Sequence, residues 1–172
     1  MMYTNKSNPV LKFPHRSALQ LTNAIKPYIE GKVICDLGCA CGDLLYSMKG
    51  TAKDIVGVER NLEHKKQINF VGADRDFIIW GDLFEIGVPP ADIYFLWISS
   101  DIEYNKRVID MLDSNKLIID AASRLDLFKD FKNINLVDII EYEYDETNCY
   151  DDTVDYFEPI GTRKIRIYRK II

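Results

Sequence analysis

The stretch that most constrains this 172-residue chain is Gly31 to Tyr46, GKVICDLGCACGDLLY. Val33, Ile34, Cys35, Asp36 and Leu37 read as a buried strand. It runs directly into a turn where Gly38, Ala40 and Gly42 carry almost no side-chain bulk. Small residues at alternate positions let backbone N–H groups approach a bound group that larger side chains would hold away. Leu44, Leu45 and Met48 follow at helical spacing, and Gly50 stands where a left-handed cap would end a helix. Strand, tight turn and helix N-terminus in this order make the cofactor crevice of an open α/β sheet.

The series Asp36, Gly38, Ala40, Gly42 resembles motif I of the class I S-adenosylmethionine-dependent methyltransferases: an acidic residue, any residue, then Gly-x-Gly-x-Gly, here with alanine at the middle glycine. A dinucleotide fingerprint fits less well, because Gly-x-Gly-x-x-Gly needs glycines where the chain has Ala40 and Asp43. The resemblance implies that this turn, with Cys39 inside it, holds S-adenosylmethionine. Two more acidic residues follow the family order. Glu59 ends a second predicted strand, Asp54 to Glu59, where such folds use a carboxylate to accept from ribose hydroxyls. Asp82 follows a third predicted strand, Asp76 to Trp80. The resemblance gives its carboxylate the adenine amino group and gives the N–H of Leu83 a ring nitrogen.

The remaining pattern alternates in the same way. A helix is expected from Ser17 as N-cap, with Ala18, Leu21, Ile25 and Tyr28 as its apolar stripe and Pro27 in its last turn. A second helix covers Asp43 to Lys49, and Asn61 caps a third through Gln67. In that helix Glu63, His64, Lys65 and Lys66 read as a solvated face. Ala91 to Ser99 is a continuous apolar run, as for a central parallel strand covered on both faces. Ser100 and Glu103 have capping-box spacing and open a helix to about Leu112, with Ile102, Ile109 and Leu112 inward. Lys116 to Ala121 is a fifth strand, and Ser123 caps a short helix carrying Leu125, Phe128 and Phe131. Leu136 to Tyr144 and Thr162 to Ile171 then form an antiparallel pair. The expected fold is α/β: a Rossmann-like class I methyltransferase sheet, mostly parallel, with a C-terminal antiparallel hairpin and helices on both faces. It forms one domain over residues 1–172, with 1–16 an irregular lead-in.

Composition agrees with an ordinary globular domain, at 47% apolar and 28% charged residues. No apolar segment reaches membrane-spanning length and the N-terminus lacks a signal-peptide pattern, so a cytoplasmic protein with no membrane partner is expected. The net charge of −5 makes a generic nucleic-acid binder the less expected class. Cys35, Cys39 and Cys41 crowd into one turn and Cys149 lies far away; without a paired Cys-x-x-C or a histidine cluster they read as reduced packing residues, and no metal is expected.

Methyl transfer from a sulfonium is an in-line displacement that needs alignment more than it needs a base, so no catalytic residue is assigned. The acceptor is expected at the end of the fourth strand, around Trp97, Ile98, Ser99, Ser100 and Asp101. That segment lacks the Asn/Asp-Pro-Pro-Tyr/Phe motif of enzymes that methylate adenine, cytosine or glutamine amides. The turn DLGCACG also looks like that of FtsJ-type RNA ribose 2′-O-methyltransferases, but their helix lysine falls near Gln20 and their fourth-strand aspartate has no counterpart at Trp97 to Ser99. The segments Gly57-Val58-Glu59 and Gly81-Asp82-Leu83-Phe84 resemble the small seven-strand lysine methyltransferases.

From Asp138 to Glu158 run nine acidic residues without a Lys or Arg, interleaved with Tyr142, Tyr144, Tyr150, Tyr156 and Phe157. Such a surface suits a cationic partner. It reads equally as a solvated hairpin balanced by the basic strand that follows. The reading is an S-adenosylmethionine-dependent methyltransferase acting on an amine of a basic protein or small molecule, with self-association open. An FtsJ-like RNA enzyme and a non-catalytic cofactor-binding scaffold are the alternatives. His15, just before the first helix, is a lone histidine in a polar lead-in and reads as incidental rather than as a base.

Overall fold

The computed structural model describes residues 16–96, 102–121, 128–145 and 160–171. Seven strands form a single sheet: β1 (Val33–Leu37), β2 (Asp54–Glu59), β3 (Ile78–Trp80), β4 (Ile93–Leu96), β5 (Leu117–Asp120), β6 (Ile134–Asp145) and β7 (Ile160–Lys170). Their spatial order is β3-β2-β1-β4-β5-β7-β6. The first five are parallel, while β7 runs antiparallel to both β5 and β6. The order reverses between β1 and β4, and at such a switch point the crevice beyond the strand ends takes ligands.

The sheet forms because its central strands bury both faces. In β1, Ile34 packs into one apolar cluster with Ile93, Phe95, Ile119 and Ile167, while Cys35 and Leu37 join Tyr94, Leu96, Ile118 and Tyr168 in the other. Fully burying side chains of this size contributes roughly 1.5–3 kcal/mol each, enough to override the modest strand propensity of Cys35 and Asp36. The antiparallel hairpin continues past the end of β5. Asp120 pairs with Arg166, and β6 and β7 stay in register from there to Asp145 and Ile160.

Among the described residues the helices are α1 (Arg16–Ala24), α2 (Lys26–Ile29), α3 (Asp43–Met48), α4 (Leu62–Val71), α5 (Leu83–Ile86) and α6 (Ile102–Asp110). Several differ from the sequence expectation for local reasons. The first expected helix is two, because Pro27 sits in the first turn of α2 and breaks the run at Ile25 instead of fraying its end. It starts at Arg16, so Ser17 lies inside α1 and is not its cap. Asn61 does cap α4 by accepting from the Glu63 N–H at 3.1 Å, but the helix runs past Gln67 until Gly72 ends it in a left-handed conformation.

β3 is shorter than Asp76 to Trp80, and β4 is described only to Leu96. In α6, Ile109 is buried and so is Leu112 just beyond it, but Ile102 is exposed, and Asn105 and Val108 take the inward face instead. Ser100, Ser123, Leu125, Cys149, His15 and the acidic residues from Glu146 to Glu158 lie outside the described residues. Phe128 and Phe131 meet edge to face at 5.3 Å, and Phe128 caps the Tyr168 ring in the same manner. Among the described residues no helix is long and apolar enough to cross a membrane.

Gly57 shows how tightly the sheet backs the turn. It pairs with Asp36, and a Cβ placed there would stand 2.5 Å from Cys39 Sγ. Gly57→Ala is therefore expected to cost about 1–3 kcal/mol through overpacking. A lowered denaturant midpoint at unchanged slope would register it.

Candidate functional site

The turn after β1 takes the left-handed backbone three times at alternate positions, with φ of 93° at Gly38, 50° at Ala40 and 73° at Gly42. Gly42 also faces Phe77 and Ile78, where a Cβ would come within 2.9–3.0 Å. Ala40 is the costly member, since an L-residue in this region carries about 1–2 kcal/mol of strain. That strain is held by a specific bond: the Ala40 N–H donates to Glu59 Oε2 at 2.9 Å. Glu59 Oε1 accepts from the Asn61 N–H at 2.6 Å, so this buried carboxylate ties the first turn to the start of α4. Each oxygen keeps lone-pair capacity for a further donor.

Cys39 and Cys41 do not plug the bend in the same way. Cys39 is turned inward against Gly57 and Leu45, and burial pushes its thiol far above the usual range. The Cys41 thiol donates to Gln67 Oε1 at 3.5 Å and lies 3.4 Å from His64 Nδ1. Burial raises it to about 11, so it stays a thiol at neutral pH. His64 is therefore not part of a solvated face: it is half-buried against the turn. Cys35, Cys39 and Cys41 are free and buried, as packing residues should be.

Asp82 caps α5, accepting from the Phe84 N–H at 2.9 Å, and its other oxygen lies 3.8 Å from Arg60 Nη1. Arg60 follows Glu59 directly, and Glu59 pairs in register with Trp80. The structure thus brings Glu59 and Asp82 to adjacent strand ends on one side of the molecule. Leu83 is buried below Asp82. Tyr104 of α6 closes this side: its ring meets Phe84 edge to face at 5.5 Å, and Arg107 lies over Phe84 at 4.0 Å. Burial raises the Tyr104 hydroxyl, opposed mainly by Arg60 and reinforced by Asp82 and Glu59.

Asp36 stands under the turn with no exposure, and neither of its oxygens has a hydrogen-bond partner. A buried orphan acid beside a turn of small residues, with the Glu59 and Asp82 carboxylates near it, fits a ligand that brings both a cation and hydroxyl or amino donors. S-adenosylmethionine has both. Glu59 and Asp82 offer acceptors in the order that ribose and adenine would need.

Arg75 has no sequence signal that singles it out. Buried before β3, it donates from Nε to the Cys41 carbonyl at 3.2 Å and from Nη2 to Asp43 Oδ1 at 3.0 Å, and it stacks on Tyr46 at 4.0 Å. It therefore fixes the far end of the turn to the first residue of α3. The acceptor positions from Trp97 to Asp101 lie outside the described residues.

No protein-family model and no curated protein sequence matches the chain. Solved structures do. A candidate RNA methyltransferase of Pyrococcus horikoshii is 20% identical over 90% of this chain and 82% of its own, with a TM-score of 0.58. The tRNA methyltransferase TrmK of B. subtilis is 16% identical over 92% of this chain and 67% of its own, at a TM-score of 0.55. A precorrin-6y C5,15-methyltransferase of Geobacter metallireducens is 15% identical over 88% of this chain and 87% of its own, at 0.54.

Two outcomes check this geometry. Arg75→Ala should destabilise the protein by about 3–5 kcal/mol, because it removes a buried guanidinium that bonds both Asp43 and the Cys41 carbonyl, as read from chemical denaturation. Ala40→Gly should fold normally and gain up to about 1 kcal/mol from relief of the left-handed strain. With its seven strands in this order, shared with these three solved methyltransferases, the chain has the class I methyltransferase fold.

Proposed function

We propose that this chain is an S-adenosylmethionine-dependent methyltransferase and that its acceptor is RNA. The observation that carries the first part is the placement of Asp36, Glu59 and Asp82 at or just beyond the ends of the neighbouring strands β1, β2 and β3, around a turn with three left-handed residues. In this reading the small-residue turn of Gly38, Cys39, Ala40 and Gly42, its N–H groups held by the Val58 and Cys39 carbonyls and by Glu59, borders the amino-acid end of the cofactor through its lack of side-chain bulk. Glu59 takes the ribose hydroxyls, and Asp82 with the Leu83 N–H takes the adenine edge. The bound cofactor supplies a methyl group on a positively charged sulfur. The chain's own residues contribute by binding and alignment, the largest lever for a displacement of this kind.

Two of the neighbours named above act on RNA by their names, which supports the acceptor. So does the charge at the rim. Arg60 is 71% exposed beside Asp82, and Arg107 lies over Phe84 at 4.0 Å, so two guanidinium groups stand near Asp82 in a protein of net charge −5. Guanidinium groups suit phosphate, through paired hydrogen bonds and charge. The acidic hairpin, which suggested an amine on a basic protein, is partly matched within the fold. Glu141 pairs with Lys164 at 2.8 Å, Glu143 accepts from the Thr162 hydroxyl at 2.9 Å, and Arg163 stacks on Tyr144 at 4.0 Å.

The test is transfer of tritiated methyl from S-adenosylmethionine into a cell extract separated into RNA, protein and small-molecule fractions. Label is expected in RNA and should fall at least tenfold with Glu59→Ala, which removes both the ribose acceptor and the latch on Ala40. Label confined to protein would replace RNA with an amine acceptor. Absence of cofactor binding by calorimetry would remove the enzyme reading altogether.

A further inference from the structure

Asp36 occupies a place in the sheet where an ionised carboxylate is hard to hold. Its row of hydrogen-bonded neighbours reads Ile78, Gly57, Asp36, Phe95, Ile119 and Ile167. Five of these six carry no charge and no polar side-chain atom, and Asp36 itself is fully buried with both oxygens unpartnered. Three titratable groups act on it electrostatically. Glu59 does so from the end of β2, the Cys39 thiol from the turn, and the Cys35 thiol from the opposite face of its own strand. From α3 the neighbouring cluster offers Leu45, and from β4 Phe95. No cation among the described residues pairs with it. An isolated buried charge of this kind is avoided by neutralisation. Burial first, and then the charge of Glu59, raise its carboxyl to about 8.

We propose that Asp36 keeps its proton while the crevice is empty and releases it to solvent when a cationic ligand enters, so that cofactor binding is coupled to proton loss. The inference rests on the cofactor reading above and adds what that reading lacks, a reason for an orphan acid at the bottom of the site. Only the O–H bond of the carboxylic acid breaks. The proton goes to buffer, and the carboxylate pairs with positive charge that arrives with the ligand. S-adenosylmethionine carries two such charges, a sulfonium and an α-ammonium. Its demethylated product, S-adenosylhomocysteine, keeps only the ammonium.

Calorimetric titration of wild type and Asp36→Asn with both ligands, between pH 6 and 7.5 in two buffers of different ionisation enthalpy, tests this. For wild type, close to one proton should be released per S-adenosylmethionine bound, and affinity should rise nearly tenfold per pH unit. Asp36→Asn should show neither effect. Proton release with both ligands makes the ammonium the partner of Asp36. Release with S-adenosylmethionine alone makes it the sulfonium. Wild type that binds with the same proton count and pH profile as Asp36→Asn overturns the proposal and leaves the methyltransferase reading standing, whereas failure of either ligand to bind at any pH overturns that reading.

A second measurement needs no ligand. The folded state binds this proton more tightly than the unfolded chain. Its contribution to stability is therefore complete below the ordinary carboxylate range and is lost as pH rises through about 8. Wild type should lose stability relative to Asp36→Asn over that window. A stability difference that does not change with pH overturns the proposal as well.

Discussion

The site depends on one carboxylate with two backbone donors. Glu59 accepts from the Ala40 and Asn61 N–H groups, and in doing so it joins the turn after β1 to the turn after β2. Hydrogen bonds to a charged acceptor are roughly twice as strong as neutral ones, and these are largely shielded from water. Without them the left-handed Ala40 would have nothing to offset its strain, and the turn could relax away from the strand ends. The acid that the cofactor reading assigns to ribose is thus also the structural latch of the neighbouring loop. One side chain serves both because a carboxylate has more acceptor sites than two donors can fill.

Around that latch the fold divides its polar groups by burial. Asp82 and Arg60 remain near solvent, where their 3.8 Å pairing is weak and can be exchanged for a ligand at little cost. Arg75 is withdrawn from water and, bonded to the partly buried Asp43, holds the far end of the turn. Rigid elements behind and exchangeable groups in front are what a binding crevice requires, because a loosely held turn would pay ordering entropy on every binding event. Asp36 fits neither class, being withdrawn and without a partner, and this makes it the most informative side chain in the site.

The alternation of strands and helices was readable from periodicity alone, as were the full extents of β1 and β2 and the antiparallel last pair. These segments either bury both faces or carry a period that only one element satisfies. The reading failed where short-range signals compete. Pro27 was expected to trouble the end of a helix and in fact starts a new one, because its fixed φ suits a first helical turn. Ile102 looked inward by spacing, yet Asn105 took the buried face. His64 looked solvated among Glu63, Lys65 and Lys66, yet it rests against Cys41 twenty-three residues earlier.

The sequence by itself determined the sheet's composition, the small-residue turn and the order of three acids along the chain, because each is a property of local pattern. Only the tertiary structure decided that Glu59 grips Ala40, that Arg75 anchors Cys41 and Asp43, and that Asp36 lies alone between Gly57 and Phe95. Those contacts join residues 19 to 59 positions apart. Strand register and burial set them, and no local pattern of residues encodes either.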